Sequence, residues 1–370
     1  MEEPVSEIYV KNCTIYDTDN GVRIKTWPAL HGGSVSNIHF EHIVMQTVSN
    51  PIIIDQMYCA HNLCNRKPSK VKISDVSFKN IRGSSRTPTA DQLTCSSSVP
   101  CKNVELSNVN LRGAQPNTFD VTKYGAKEGS DITKALLSAW KGACGAAGSG
   151  KVVIPKGKYS LGVVDLLGPC KGAMHLQVEG TLVAPAKASE HRKNSWVTLK
   201  YLDRLTVSGG GAFDGQGEIA WQQKSCGDGC KKALPVNLRF DFVTNSIVKD
   251  VTSIDSKQFH INLLGSKNLT FQRFLVKAPG HSPNTDGIHI GRSEQINIIN
   301  SNIITDDDCI SIGRGSRQVR ITNVRCGHGH GISIGSLGKY EKEEPVYGIY
   351  VKNCKIYDTG NGVRIKTWPL

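Results

Sequence analysis

The chain has 370 residues, 38 % of them hydrophobic and only 6 % aromatic. That is enough for two ordinary domains or one elongated repeat domain, but not for a large aromatic core. No apolar run approaches the roughly 20 residues that span a bilayer, so no membrane-spanning segment is expected. The formal charge of +13 is scattered and not gathered into runs, which argues against a nucleic-acid arm and suits a polyanion such as an acidic polysaccharide.

The chain opens on Met1-Glu2-Glu3-Pro4, where no apolar stretch of a signal peptide is visible. From there short apolar units recur around a polar pivot: IYVKNCTI from Ile8, IHFEHIVM from Ile38, VKISDVSF from Val71 and VELSNVNL from Val104. The pattern resumes with LTVSGGGAF from Leu205, IVKDVTSI from Ile247, LTFQRFLV from Leu269, INIINSNI from Ile296, VRITNVRC from Val319 and IYVKNCKI from Ile349. Each unit carries short stretches of period-two alternation broken by Gly, Asn or Asp, the pattern of strands. One such unit cannot bury its own apolar face, whereas stacked coils can, with Asn and Cys ladders expected inside the stack. The fold class expected is all-β, a right-handed parallel β-helix. A β-sandwich is the rival, but the Asn-Gly and Asp-Gly hairpin turns it needs are mostly absent from the unit junctions.

One segment breaks the pattern. Between Asp131 and Cys144 the residues Ile132, Leu136, Leu137 and Trp140 fall at helix spacing, and Asp131 is the expected N-cap. A helix at 131–144 beside a solenoid reads as a cap on its first coil. It stands out of place in mid-chain. Residues 2–28 and 343–369 differ at only four of 27 positions, Ser6/Tyr347, Glu7/Gly348, Thr14/Lys355 and Asp19/Gly360. The expected organisation is therefore a later part of a β-helix at 1–112, a junction at 113–118, and the cap with the coils that follow it at 119–370.

Ten of the twelve cysteines fall into near neighbours, 59/64, 95/101, 144/170, 226/230 and 309/326, leaving Cys13 and Cys354. No CxxC exists, so local disulfides in an oxidising compartment explain the spacing better than zinc. Sequons at Asn12 and Asn268 suit a secreted protein.

Four clusters carry chemistry: Asn284 and Asp286 in SPNTDG, Asp306 to Asp308 in TDDDC, His328 and His330 in CGHGHG, and Arg364 with Lys366 in VRIK, repeated as Arg23 with Lys25. Asp286 to Asp307 is 21 residues and Asp308 to His330 is 22, which are coil periods. Residues one coil apart stack about 5 Å apart, so the carboxylates and the imidazole are expected on one face. Like charges held that close raise a pKa and set an acid beside a base, as glycosidic hydrolysis requires. Arg and Lys on the next coil are suited to substrate carboxylates. Each cluster alone is also readable as an ordinary turn. Calcium at the triple Asp is disfavoured, because consecutive strand residues point to opposite faces.

NTDGIHIG, DDCISIG, GHGISIGSLG and VRIKTW together resemble the polygalacturonases, glycoside hydrolase family 28, and among them the plant pollen exopolygalacturonase type. FDVTKYGA at Phe119 resembles the start of that family's domain, and residues 1–112, with IIIDQMYC and Tyr58, resemble its C-terminal part, so the order is permuted. The resemblance implies exo-type hydrolysis of α-1,4-galacturonosyl bonds in polygalacturonate or pectin, outside the cell, with inversion and with no metal or other cofactor. It implies Asp307 as general acid, Asp286 and Asp308 holding the water, and His330 supporting the acid. Arg364 and Lys366 would bind a galacturonate carboxylate, and Asn284 and Tyr58 would line subsites. Inversion implies widely spaced carboxyls. Two departures stand out. Asp306 replaces the usual Gly and is expected to raise neighbouring pKa values, and His328 replaces the usual Pro and is expected to loosen its loop. The rival readings are an inactive, allergen-like binding protein and a pectate lyase. The duplicated coil adds an expectation of head-to-tail self-association.

Overall fold

The computed structural model describes residues 3–28, 32–59, 68–87, 90–113, 116–187, 194–224 and 234–368. It divides into two compact units, Met1–Pro116 and Asn117–Leu370.

Each unit is a stack of parallel strands. Among the described residues the first unit has parallel sheets of four, four and three strands, and the second has sheets of nine, eight and eight. Each coil contributes one strand to each sheet, so residues one coil apart lie side by side, 22 residues apart where the coil is shortest and 41 where it is longest in the second unit. Ile261, Ile288, Ile310 and Ile332 form one such inward column, each fully buried. Burying a side chain of this size contributes about 1.5–3 kcal/mol, and the columns together make one continuous core in the second unit. A separate, smaller core fills the first. The fold is a parallel β-helix, an all-β architecture.

The polar pivot of each repeat is a turn made by a single residue in the left-handed region. Asn80, Asn108, Asn300, Asn323 and Asn353 all have φ between 51° and 56°. Asn tolerates this conformation better than most residues because its side chain bonds locally. The Asn ladders are therefore at the outside and not inside the stack: Asn108 Nδ2 donates to Asn80 Oδ1 at 2.7 Å and Asn323 Nδ2 to Asn300 Oδ1 at 3.0 Å, on exposed turns.

The helix runs over Thr133–Gly145 and buries Leu136, Ala139 and Trp140. Its N-cap is Ile132, without a side-chain cap bond. Asp131 lies one residue earlier and accepts from the Thr133 backbone N–H at 2.8 Å, so it closes a local turn ahead of the helix. Trp140 Nε1 donates to the Leu167 carbonyl at 3.1 Å, and a Cys144–Cys170 disulfide holds the last turn. Cys95–Cys101 and Cys309–Cys326 are also bonded, and Cys13 and Cys354 are free thiols. Cys59 is disulfide-bonded, while the 226/230 pairing and Cys64 lie outside the described residues.

Candidate active site

The outward face of one eight-stranded sheet carries the site. Three of its strands have a polar residue flanked by two isoleucines: Ile288-His289-Ile290, Ile310-Ser311-Ile312 and Ile332-Ser333-Ile334. The isoleucines point inward, and alternation turns the centre residue outward. Register then stacks His289 on Ser311, Ser311 on Ser333 and Ser333 on Arg364. This column holds Asp286 and Asp308, which precede the first two of these strands, through Ser311 and Ser333.

Asp286 precedes the first of these strands and is buried. Ser311 Oγ donates to its Oδ2 at 2.6 Å and is itself bonded to His289 Nδ1 at 2.8 Å. Because Ser311 has one hydrogen, His289 must donate through Nδ1 in this arrangement. Burial, then the negative charge of Asp307, pushes Asp286 up to about 8, against the opposing Ser311 bond. Burial likewise holds His289 down to about 4, so its imidazole is neutral, and it stacks on Phe259 at 5.0 Å.

Asp308 is buried and treated oppositely. Burial acts to raise it, but bonds from Lys366, Ser333 and Arg364 outweigh burial and lower it. Lys366 Nζ reaches Oδ2 at 2.8 Å and Arg364 Nη2 reaches Oδ1 at 2.8 Å, while Arg364 Nε donates to Ser333 Oγ at 2.8 Å. The two cations that the sequence offers to a substrate carboxylate thus hold a carboxylate of the protein. The pair Asp286 and Asp308 is the split that acid–base chemistry uses: one carboxyl protonated at neutral pH and its neighbour ionised.

Asp307 is the open member, its side chain 22 % exposed against 3 % for Asp308. His330 Nδ1 lies 3.1 Å from its Oδ1. The His330 loop is threaded tightly: its backbone N–H donates to the Asp307 carbonyl at 3.0 Å, and a Cβ on Gly329, at φ 67°, would sit 2.2 Å from that carbonyl. His328 has φ 59°, which a proline ring fixed near −65° cannot adopt; its consequence is a left-handed turn beside His330.

Asp307, Asp308 and His330 offer ligand atoms within 4.8 Å of one another. That is closer than the 6.5–9.5 Å carboxyl spacing implied by inversion, because Asp307 and Asp308 are consecutive residues. The same three atoms are close enough to share a cation, but Asp308 is already neutralised by Lys366 and Arg364. Asp306 also behaves differently from expectation. Its own carboxyl is raised, first by burial, and it faces His330, His281 and His328. It is not among the charges acting on Asp286. Asn284 lies on an exposed turn at φ 59°, two residues before Asp286.

Tyr58 belongs to the first unit. Its ring lies against the first copy of the basic pair, 4.7 Å from the Arg23 guanidinium and 4.6 Å from Lys25 Nζ, and Arg23 Nη2 pairs with Asp55 at 3.1 Å. His289, Ser311 and Ser333 bond into the acid cluster, and the sequence clusters did not include them. The repeated Ile-x-Ile triplet at 22-residue spacing is the signal that points to them.

The fold is a stack of parallel coils with clustered acids along one sheet, and the comparisons give it a family. The model for Glycosyl hydrolases family 28 matches residues 1–129 and 144–370. The chain is 56 % identical over 242 residues to an exopolygalacturonase of Oenothera organensis, covering 65 % of this chain and 67 % of that one. It is 52 % identical over 265 residues to a polygalacturonase of Gossypium barbadense, covering 70 % and 65 %. Among solved structures, an endo-xylogalacturonan hydrolase from Aspergillus tubingensis superposes with a TM-score of 0.60 at 27 % identity, covering 66 % of this chain and 67 % of that one. The chain belongs to glycosyl hydrolase family 28. It spans about two thirds of the length of these curated relatives.

Proposed function

We propose that the protein hydrolyses α-1,4-galacturonosyl bonds of polygalacturonate, exo-type and without a metal in the step. The observation that carries this is the split between neutral Asp286 and ionised Asp308 beside the solvent-reaching Asp307. Asp308, held ionised by two cations, takes a proton from the attacking water. Asp286, neutral, orients that water by hydrogen bonding. Asp307, the one carboxyl of the three that reaches the open face, takes up a proton from solvent and then passes it to the leaving oxygen, with His330 beside it. The relatives' names support the substrate. The disulfides among the described residues suit action outside the cell.

Asp307→Asn tests the assignment. Reducing-end release from polygalacturonate is expected to fall about 10²–10⁴-fold with the fold intact by circular dichroism. Retention of half the rate would show that another group is the acid. An ultraviolet-absorbing unsaturated product from the wild type would indicate elimination, the lyase reading.

A further inference from the structure

Two acids of the site rest on two serines in the same way. Ser311 Oγ donates to Asp286 Oδ2 at 2.6 Å, and Ser333 Oγ donates to Asp308 Oδ1 at 2.5 Å. In both pairs the serine follows its acid by 25 residues, one coil along the stack, and both serines are buried. The coil repeat thus builds the pair twice. What differs is the third member. Ser333 Oγ meets Arg364 Nε at 2.8 Å, from the coil after it. Ser311 Oγ meets His289 Nδ1 at 2.8 Å, from the coil before it.

A hydroxyl has one hydrogen, so the third member decides where it points. A guanidinium has no acceptor. Arg364 must therefore donate, which leaves the Ser333 hydrogen for Asp308. An imidazole works either way round: with its proton on Nδ1 it donates to Ser311, and with its proton on Nε2 it accepts from Ser311. In the first state the Ser311 hydrogen goes to Asp286 Oδ2, and the proton of the neutral acid must sit on Oδ1. In the second state Asp286 Oδ2 carries the proton and donates it to Ser311, so Oδ1 only accepts. The two states offer the attacking water opposite partners. The repeated geometry selects the first, because the distances around Ser311 match those around Ser333, whose orientation Arg364 fixes. Among the described residues His289 Nε2 has no hydrogen-bond partner, and its near neighbours are Gly291 and Gly313, so the protein offers a proton there no acceptor.

We propose that His289 is a positioning residue: donating through Nδ1 to Ser311, it keeps the Ser311 hydrogen on Asp286 Oδ2 and leaves the Asp286 proton on Oδ1 to hold the attacking water. The proposal rests on the reading of Asp286 as the neutral, water-orienting acid. The third members then sort the two copied pairs. The guanidinium keeps Asp308 ionised, and the uncharged imidazole lets Asp286 keep its proton.

The test compares the full chain with its variants His289→Leu, His289→Asn, Ser311→Ala and the double variant His289→Leu/Ser311→Ala, on polygalacturonate. Both His289 variants lose the ring that stacks on Phe259 at 5.0 Å, but only Asn keeps a side-chain N–H donor. Leu is expected to lower kcat about tenfold with KM unchanged, the effect of losing one such bond, and Asn to recover most of that loss. In the Ser311→Ala background His289→Leu is expected to lower kcat no further, since the imidazole acts through the serine. Equal losses from Leu and Asn, or losses that add in the double variant, would overturn the positioning role. Nitrogen-15 spectra of the imidazoles read the tautomer without turnover, the His289 signal being the one missing from His289→Asn. A proton on Nδ1 at neutral pH supports the proposal, and a proton on Nε2 overturns it; this wild-type spectrum decides even where a variant fails to fold. If Nδ1 carries the proton but polygalacturonate is not hydrolysed, the hydrogen-bond arrangement stands and the hydrolytic reading fails. If hydrolysis proceeds and Nε2 carries the proton, the hydrolytic reading stands and the positioning role fails.

Discussion

Residues 2–28 and 343–369 are nearly the same sequence in two surroundings. Both fold alike: strands at Val5–Lys11 and Tyr347–Lys352 lead to short strands at Thr14–Tyr16 and Lys355–Tyr357. Asn12 and Asn353 turn at φ 57° and 55°, and Cys13 and Cys354 are both free thiols. The differences begin at the basic strand. Val22 and Ile24 are buried at 4 % and 8 % exposure, whereas Val363 and Ile365 are 54 % and 72 % exposed. Arg23 pairs with Asp55 and lies under Tyr58, whereas Arg364 and Lys366 hold Asp308. Local sequence decides strand and turn; the neighbouring coil decides what the cations do.

The largest expected contrast is catalytic. Lys366→Ala removes one of the cations that keep Asp308 ionised, and kcat/KM on polygalacturonate is expected to fall about 10²-fold. Lys25→Ala is expected to cost at least ten times less. A parallel measurement on fully methyl-esterified pectin sharpens the point: a loss on both substrates shows Lys366 acting through Asp308, and a loss on polygalacturonate alone shows it meeting the substrate's carboxylate.

A pH profile sharpens it further. Without Lys366 the Asp308 carboxyl rises, so the acid limb of kcat/KM should move to higher pH. The same profile for Lys25→Ala should stay in place. Asp286 gives a signature in stability. Its pKa is raised from 3.8 to about 8 on folding, so the folded state binds the extra proton between those values. Stability from this group is therefore present at low pH and lost as pH rises from about 4 to about 8. Asp286→Asn should flatten the decline and melt several degrees higher than the wild type at pH 8, while matching it more closely at pH 4. A parallel decline in both proteins would show that Asp286 does not carry the proton.

The smallest effect is the control. Asn12→Ala and Asn353→Ala each place a Cβ-bearing residue with no local side-chain bond in the left-handed region, at about 1 kcal/mol. Denaturant midpoints should move by similar amounts. Unequal shifts would show that the turns are not locally determined.

The sequence made the coils, the cap helix and the acid cluster legible because all three depend on spacing. Period-two alternation and a 22-residue interval fix which residues share a column. What spacing does not carry is the direction of side chains at turns and the identity of the partner one coil away. Asp306 sits beside Asp307 in sequence but faces three histidines. Arg364 and Lys366 read as substrate ligands because Asp308 is 56 and 58 residues distant. Ser311 and Ser333 look like ordinary strand residues until register puts them under a carboxylate. The N-cap slipped by one residue because Asp131 bonds the backbone two residues ahead without entering the helix.

The one-residue turn described for Asn12 and Asn353 has a consequence for how such a chain changes over generations. A coil that bends on its own left-handed asparagine carries its turn with it, and needs from its neighbours a strand edge and an apolar face to stack on. A stretch of coding sequence can then be copied in frame and laid down against another coil, where its strands and turn form again, as they do around Asn12 and Asn353. New function enters such a lineage by recombination of whole rungs, with point changes left to adjust which rung a lysine answers to.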